Sequence, residues 1–300
     1  MRRAILVVTV IIAAVLVGTS AVAYAKEADK KSGTTLPETT SSETTGPITI
    51  ENHSWGDYHW ARTANPFTLN LGDNVTSTWD PYLTTSSSET DWSQSTVLDT
   101  TVVPGTSSAK RCPAKDGRVE VCNSTYGKNG WLGIASIWGK GSHITKGTTK
   151  LNDSYFKTTK YNTPAWRSLV MCQEVGHTFG LGHQDENFSN ENLNTCMDYT
   201  NLPDSNQYPN QHDYDELNTI YSHLDPSTTI GASTAGKVPS GNPNDPSNEP
   251  GDNPGEWGRE VSRSADGRHS IYEFDLPNNG GKKVTHVRWT EDEAAKHKKV

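Results

Sequence analysis

Positive charge is scarce in this chain. Its 27 Lys and Arg stand against 35 Asp and Glu, a formal net charge of −8 that deepens to −10 when the first 25 residues, with Arg2 and Arg3, are left out. Without a basic excess, nucleic acid is not an expected partner. Apolar residues make up only 32% of the 300 positions, enough for one good-sized core plus extensions. Cysteine is limited to four residues. In an exported chain an even number reads as two disulfides, for which three pairings exist. Cys112 with Cys122 is favoured because it closes the loop CPAKDGRVEVC, and Cys172 with Cys196 because it ties a helix to the segment TCMDYT.

The longest apolar run comes first. MRRAILVVTVIIAAVLVGTSAVAYA (1–25) has a basic start, an uncharged stretch and a small-x-small end at Ala23-Tyr24-Ala25, so it reads as a signal peptide and predicts secretion, with no membrane contact after cleavage. An uncleaved signal anchor is the alternative, since Ala4 to Ala25 is just long enough to span a bilayer. Residues 26–55, rich in Thr, Ser and Glu, are expected to form a disordered spacer. The folded domain is expected at 56–225. A linker follows at 226–256, where residues 226–255 carry six of the chain's 16 prolines. The tail, 257–300, holds SIYEFDLPNNGGKKVTHVRW, a β-hairpin pattern around Asn279-Gly280. A lone hairpin is marginally stable, so it is expected to pack on a larger surface. Sequons occur at Asn52, Asn74, Asn123, Asn152 and Asn187.

Within the domain, 66–75 and 97–103 read as strands, and 130–153 as two more joined by a Gly-rich turn. The stretch between the first two, 77–95, fits either a poor helix or a loop. A helix is expected after Thr163 as N-cap and Pro164 as first residue, stopping by Gly180. A second follows Asn210, with Asp213 completing a capping box and Tyr214, Leu217, Ile220, Tyr221 and Leu224 forming its apolar stripe.

The first of these helices carries MCQEVGHTFGLGHQD (171–185). Residues 173 and 177 are one helical turn apart, so Gln173 and His177 point at one spot with Glu174 beside them. His183, six residues past His177, cannot share that face on a continuous helix. Gly180 resolves this, because it adopts φ > 0 and turns the chain back. A metal site of this kind needs about three protein ligands and an open position for water, with a carboxylate as base.

QEVGHTFGLGH resembles the HExxHxxGxxH consensus of the metzincin metallopeptidases, matching at Glu174, His177, Gly180 and His183 and departing at Gln173. TCMDY (195–199) is similar to the methionine turn of that family, which places Met197 beneath the metal. The resemblance covers roughly residues 60–225 and is closest to the matrixin-like and gametolysin-like branches. It implies an α+β, metzincin-type zincin domain: a mixed twisted sheet, an antiparallel edge strand (GWLGIASIW) that holds substrate, the motif helix, the Met-turn and a C-terminal helix. It also implies one catalytic Zn2+ on Gln173, His177 and His183, with Glu174 as general base and Tyr199 near the metal or the oxyanion. It leaves room for a structural Ca2+ whose ligands the sequence does not mark. The implied partner is an extended peptide or protein substrate on a monomeric enzyme.

Gln173 offers an amide oxygen, a neutral and harder donor than imidazole, so weaker zinc binding is expected; some gametolysin-like relatives carry Gln there. Asp185 reads as part of an acidic loop, with an extra ligand role as the alternative. RCP (111–113) is similar to the cysteine that caps zinc in some secreted metalloproteases, but the even cysteine count favours pairing. His143, His212 and His223 have no partner at ligand spacing and read as structural or solvated. Two functions therefore stand: a secreted zinc metalloendopeptidase, or a weak or inactive relative that binds peptides or cell wall on the same fold.

Overall fold

The computed structural model describes residues 53–84, 91–105, 108–187, 190–231, 250–277 and 280–297. The expected signal peptide, most of the spacer, the middle of the linker and Asn279 lie outside them. Among the described residues, nine strands form one sheet. They are β1 (His59–Trp60), β2 (Phe67–Asn74), β3 (Leu98–Pro104), β4 (Val119–Ser124), β5 (Trp131–Lys140), β6 (His143–Asn152), β7 (Arg259–Arg263), β8 (His269–Asp275) and β9 (Gly281–Trp289). Their order is β3-β2-β4-β6-β5-β9-β8-β7, with β1 beside β6. Pairing is parallel from β3 to β6 and antiparallel from β6 through β5 and β9 to β7. This is a mixed, largely β architecture with few helices, compatible with the expected α+β class.

Local patterns explain most of it. In β2, Phe67, Leu69 and Leu71 are buried and Thr68 is exposed, the period of a strand with one face on the core. The two strands expected within 130–153 are β5 and β6, turning at Gly141, whose φ is +60°. The stretch left open between helix and loop forms the short helix α1 (Asp80–Thr84) and a 3-10 turn at Trp92–Gln94. β4 was not expected: its VEVCNS was read as part of a disulfide loop, yet it is a central strand buried at five of six positions. A short run with Glu120 and Asn123 inside shows no alternation, because both of its faces are covered.

Following α2 (Asp153–Phe156), α3 (Pro164–His177) starts where expected, with Thr163 Oγ1 accepting from the Trp166 N–H at 3.2 Å. All but its first residue are buried. α4 (Gln211–Ile220) has the expected capping box, Asn210 and Asp213 each accepting from the other's backbone N–H. Leu217 and Tyr221 of its stripe are fully buried, but the helix ends at Ile220 and Leu224 is 57% exposed. Cys112 pairs with Cys122 and Cys172 with Cys196, as favoured, so Cys112 has no free thiol to cap a metal. Asn123 and Asn152 are buried, which rules out glycans at those two sequons in the folded chain. No helix among the described residues is long and apolar enough to cross a membrane.

The tail does not stand apart from the domain. β9 pairs antiparallel with β5 over its whole length, from Trp131↔Trp289 to Lys140↔Gly281. Trp131 and Ile134 of β5 share a buried cluster with Trp257, Tyr272, Val287 and Trp289, drawn from α5 (Pro254–Trp257), β8 and β9, and α6 (Glu291–His297) adds Ala294. Each large apolar side chain so covered contributes about 1.5–3 kcal/mol, which a free hairpin lacks. The strand expected to be a substrate-binding edge is thus an interior strand.

Candidate metal centre

The centre lies where α3, the turn after it and β9 meet. α3 delivers Gln173, Glu174 and His177, all buried. Its close seating on the sheet depends on Gly133, where a Cβ would come within 2.7 Å of Glu174 Cγ. Beneath it, a Cβ on Gly176 would lie 2.9 Å from Met197 Sδ. Gly180, with φ +100°, then reverses the chain. The following residues pair with the Met197 segment, Gln184 N–H donating to the Met197 carbonyl at 2.7 Å. His183 is thereby returned to His177, with Nε2 to Nε2 at 3.2 Å.

A third histidine arrives from the far end of the chain. His286, on β9, has its ring centroid 4.1 Å from that of His177 and 3.5 Å from the Trp55 ring, on which it stacks. One nitrogen from each of His177, His183 and His286 lies within 4.8 Å of the others. Burial holds all three imidazoles well below their usual range, His177 down to about 3, so they are neutral donors at pH 7. His177 Nδ1 sits 2.8 Å from the Leu181 carbonyl oxygen. A carbonyl only accepts, so Nδ1 carries the proton and Nε2 keeps its lone pair for the centre. His286 Nε2 and Glu174 Oε2 are buried without hydrogen-bond partners. Orphan atoms beside converging neutral imidazoles fit a metal cation.

Gln173 is not in that set. Its Nε2 donates to the Cys196 carbonyl at 2.7 Å, and its Oε1 accepts from Arg288 Nη1. The amide oxygen expected to face the metal is committed to β9. Arg288 Nη2 reaches the Thr200 carbonyl at 3.1 Å. Burial pushes the Glu174 carboxyl above the usual range, and the charge of Arg288 opposes that rise. Tyr199 lies against the centre, its ring 4.2 Å from that of His183 and stacked at 4.1 Å on His269 of β8. Asp185 takes no part: its carboxylate accepts from the Asn187 N–H at 2.7 Å and from the Asn190 amide.

The sequence reading missed His286, His269 and Arg288. The signal was present as alternation, since His286 and Arg288 are two apart on one strand and so share a face. Nothing local says that this face meets the motif helix. Trp55, placed at the end of the expected spacer, is likewise buried against the centre. His143 and His223, read as having no partner, gather with His59 around Asp225 on another part of the molecule, and His212, read likewise, has its Nδ1 3.1 Å from His53 Nε2. No protein-family model matches the chain, and no curated protein matches it. Fold and site define a mixed α/β protein with a buried, histidine-rich candidate metal centre.

Proposed function

We propose that this protein is a secreted zinc metalloendopeptidase of the metzincin type. The observation that carries the reading is the buried Glu174 carboxylate, with one oxygen unpartnered, beside the neutral His177 and His183. A helix that spends a buried acid next to two converging imidazoles, with a glycine turn returning the second, is set out for metal-assisted hydrolysis. The antiparallel β5 before the motif helix and the methionine turn beneath it support the same reading. The paired cysteines suit an oxidising, extracellular setting.

Zinc bound at His177 and His183 would acidify water and polarise the scissile carbonyl. Glu174 takes a proton from the attacking water as its oxygen bonds to the carbonyl carbon. As the C–N bond breaks, Glu174 returns the proton to the leaving amine. Tyr199, whose ring lies 4.2 Å from that of His183, would donate to the oxyanion. The second reading, a peptide-binding protein without activity, is favoured by one observation: Gln173 is engaged by Arg288.

The test is metal content by elemental analysis with casein cleavage, plus and minus chelator. It is run on the full chain and on Thr285→Asp, which puts a buried carboxylate into the β5–β9 seam and loosens it. Bound zinc and chelator-sensitive cleavage in either chain are expected. A folded protein that binds no zinc and cleaves in neither form overturns the peptidase.

A further inference from the structure

We propose that β9 is a built-in inhibitor that covers the substrate strand and exchanges the metal ligand of the centre, on three observations; this rests on the peptidase reading above. First, β9 pairs with β5 from Trp131 to Lys140, the strand along which an extended substrate would form its backbone hydrogen bonds. Second, His286 brings an imidazole to His177 and His183 and takes the third ligand position. Third, Arg288, two residues on and facing the same way, takes the Gln173 amide oxygen with Nη1 and the Thr200 carbonyl with Nη2. The ligand predicted by the motif is held off the metal.

The two arrangements differ by which donor is third. With β9 seated it is His286; with β9 displaced, Arg288 releases Gln173 Oε1, which then turns to the position that His286 leaves. Gln173 is the residue that this exchange needs. A histidine at 173 would compete with His286 for the metal, whereas a weaker amide donor yields to imidazole. The seam is built to hold: Ser136 Oγ and Thr285 Oγ1 are 2.9 Å apart and both fully buried, and His286 stacks on Trp55.

Zinc affinity is read first, independently of cleavage. In the full chain, His286→Ala is expected to weaken zinc binding at least ten-fold, and Gln173→Ala to leave it nearly unchanged. In the Thr285→Asp background the dependence should reverse. Cleavage is read second: Thr285→Asp should exceed wild type at least ten-fold, and Ser136→Cys/Thr285→Cys, oxidised across the seam, should fall below either single-cysteine variant. Loss of zinc in Gln173→Ala but not in His286→Ala overturns the ligand exchange. A locked chain that cleaves as fast as wild type overturns the inhibition, and leaves the peptidase standing. If His286→Ala alone loses zinc but no variant cleaves, the ligand assignment holds and the peptidase reading falls.

Separately, we infer a second metal site at His59, His223 and Asp225, whose ligand atoms lie within 4.8 Å of one another, with His143 bonded to the same carboxylate. Three imidazole Nε2 atoms converge on one carboxylate oxygen, Asp225 Oδ1, at 3.5, 3.1 and 3.8 Å respectively. His59 and His223 bring their Nε2 atoms within 3.2 Å of each other. The surrounding contacts orient the donors. His59 Nδ1 lies 2.7 Å from the Asp57 carbonyl, which leaves Nε2 free, and the other Asp225 oxygen, Oδ2, is held by Arg62 at 3.0 Å. A surface cavity of about 400 Å3 opens on His59 and His223 and offers a way in. The site would clip β1, the start of β6 and the chain after α4 together with a zinc-like cation. Wild type should bind two zinc ions per chain, and His223→Ala, an exposed position that tolerates truncation, should bind one and lose part of the thermal stabilisation that added zinc confers. Unchanged stoichiometry in both His223→Ala and Asp225→Asn overturns this site.

Discussion

Glu174→Gln is expected to lower peptide cleavage by a factor of about 10²–10⁴, the usual worth of a positioned general base, with zinc content unchanged. The substitution keeps the shape of a side chain packed within 2.8 Å of where a Gly133 Cβ would sit, so no cavity forms. It also removes a carboxylate that burial disfavours, so folding should not suffer. The amide cannot take a proton from water, and the base step is lost while the histidines stay in place. The comparison is made in the Thr285→Asp background, where the centre is expected to be open. Cleavage at the unsubstituted rate would sink the role of Glu174 and favour a binding function for the fold.

Gly180→Ala is expected to be strongly disruptive. At φ +100° an alanine is strained whatever the space. The space is also closed, because a Cβ would lie 2.2 Å from the Tyr58 carbonyl oxygen, a backbone atom that cannot step aside. Strain and clash together should cost about 2–4 kcal/mol, roughly a 5–15 °C fall in Tm for a domain of this size. Zinc affinity should fall as well, since His183 reaches His177 only through this turn. Gly141→Ala is the control: its φ is +60° but nothing stands within 4 Å of the added Cβ. It isolates the backbone term, about 1–2 kcal/mol. Equal melting temperatures for the two variants would show that the approach of Tyr58 is not what demands glycine at 180.

The local half of this protein is written in short stretches of chain. Thr163-Pro164 starts α3, Asn210 with Asp213 starts α4, and β-branched runs bounded by turn residues mark β2, β3, β5 and β6. Helix period places Gln173, Glu174 and His177 on one side of α3, and one glycine returns His183 to them. Capping, periodicity and positive φ act within a few residues, so the sequence by itself determined these elements and the meeting of His177 with His183, while it only favoured the two disulfide pairings among three.

Tertiary structure decided the rest. Whether β5 is an edge depends on a strand that begins about 140 residues later, and β9 closes it by backbone pairing that any β-prone segment could supply. That pairing, not the motif, brings His286 and Arg288 to the centre and turns Gln173 from an expected ligand into an acceptor for Arg288. The three histidines around Asp225 likewise come from β1, the start of β6 and the chain after α4. Spacing along the chain carries no trace of such gatherings, because sheet register sets them through contacts between residues far apart in sequence.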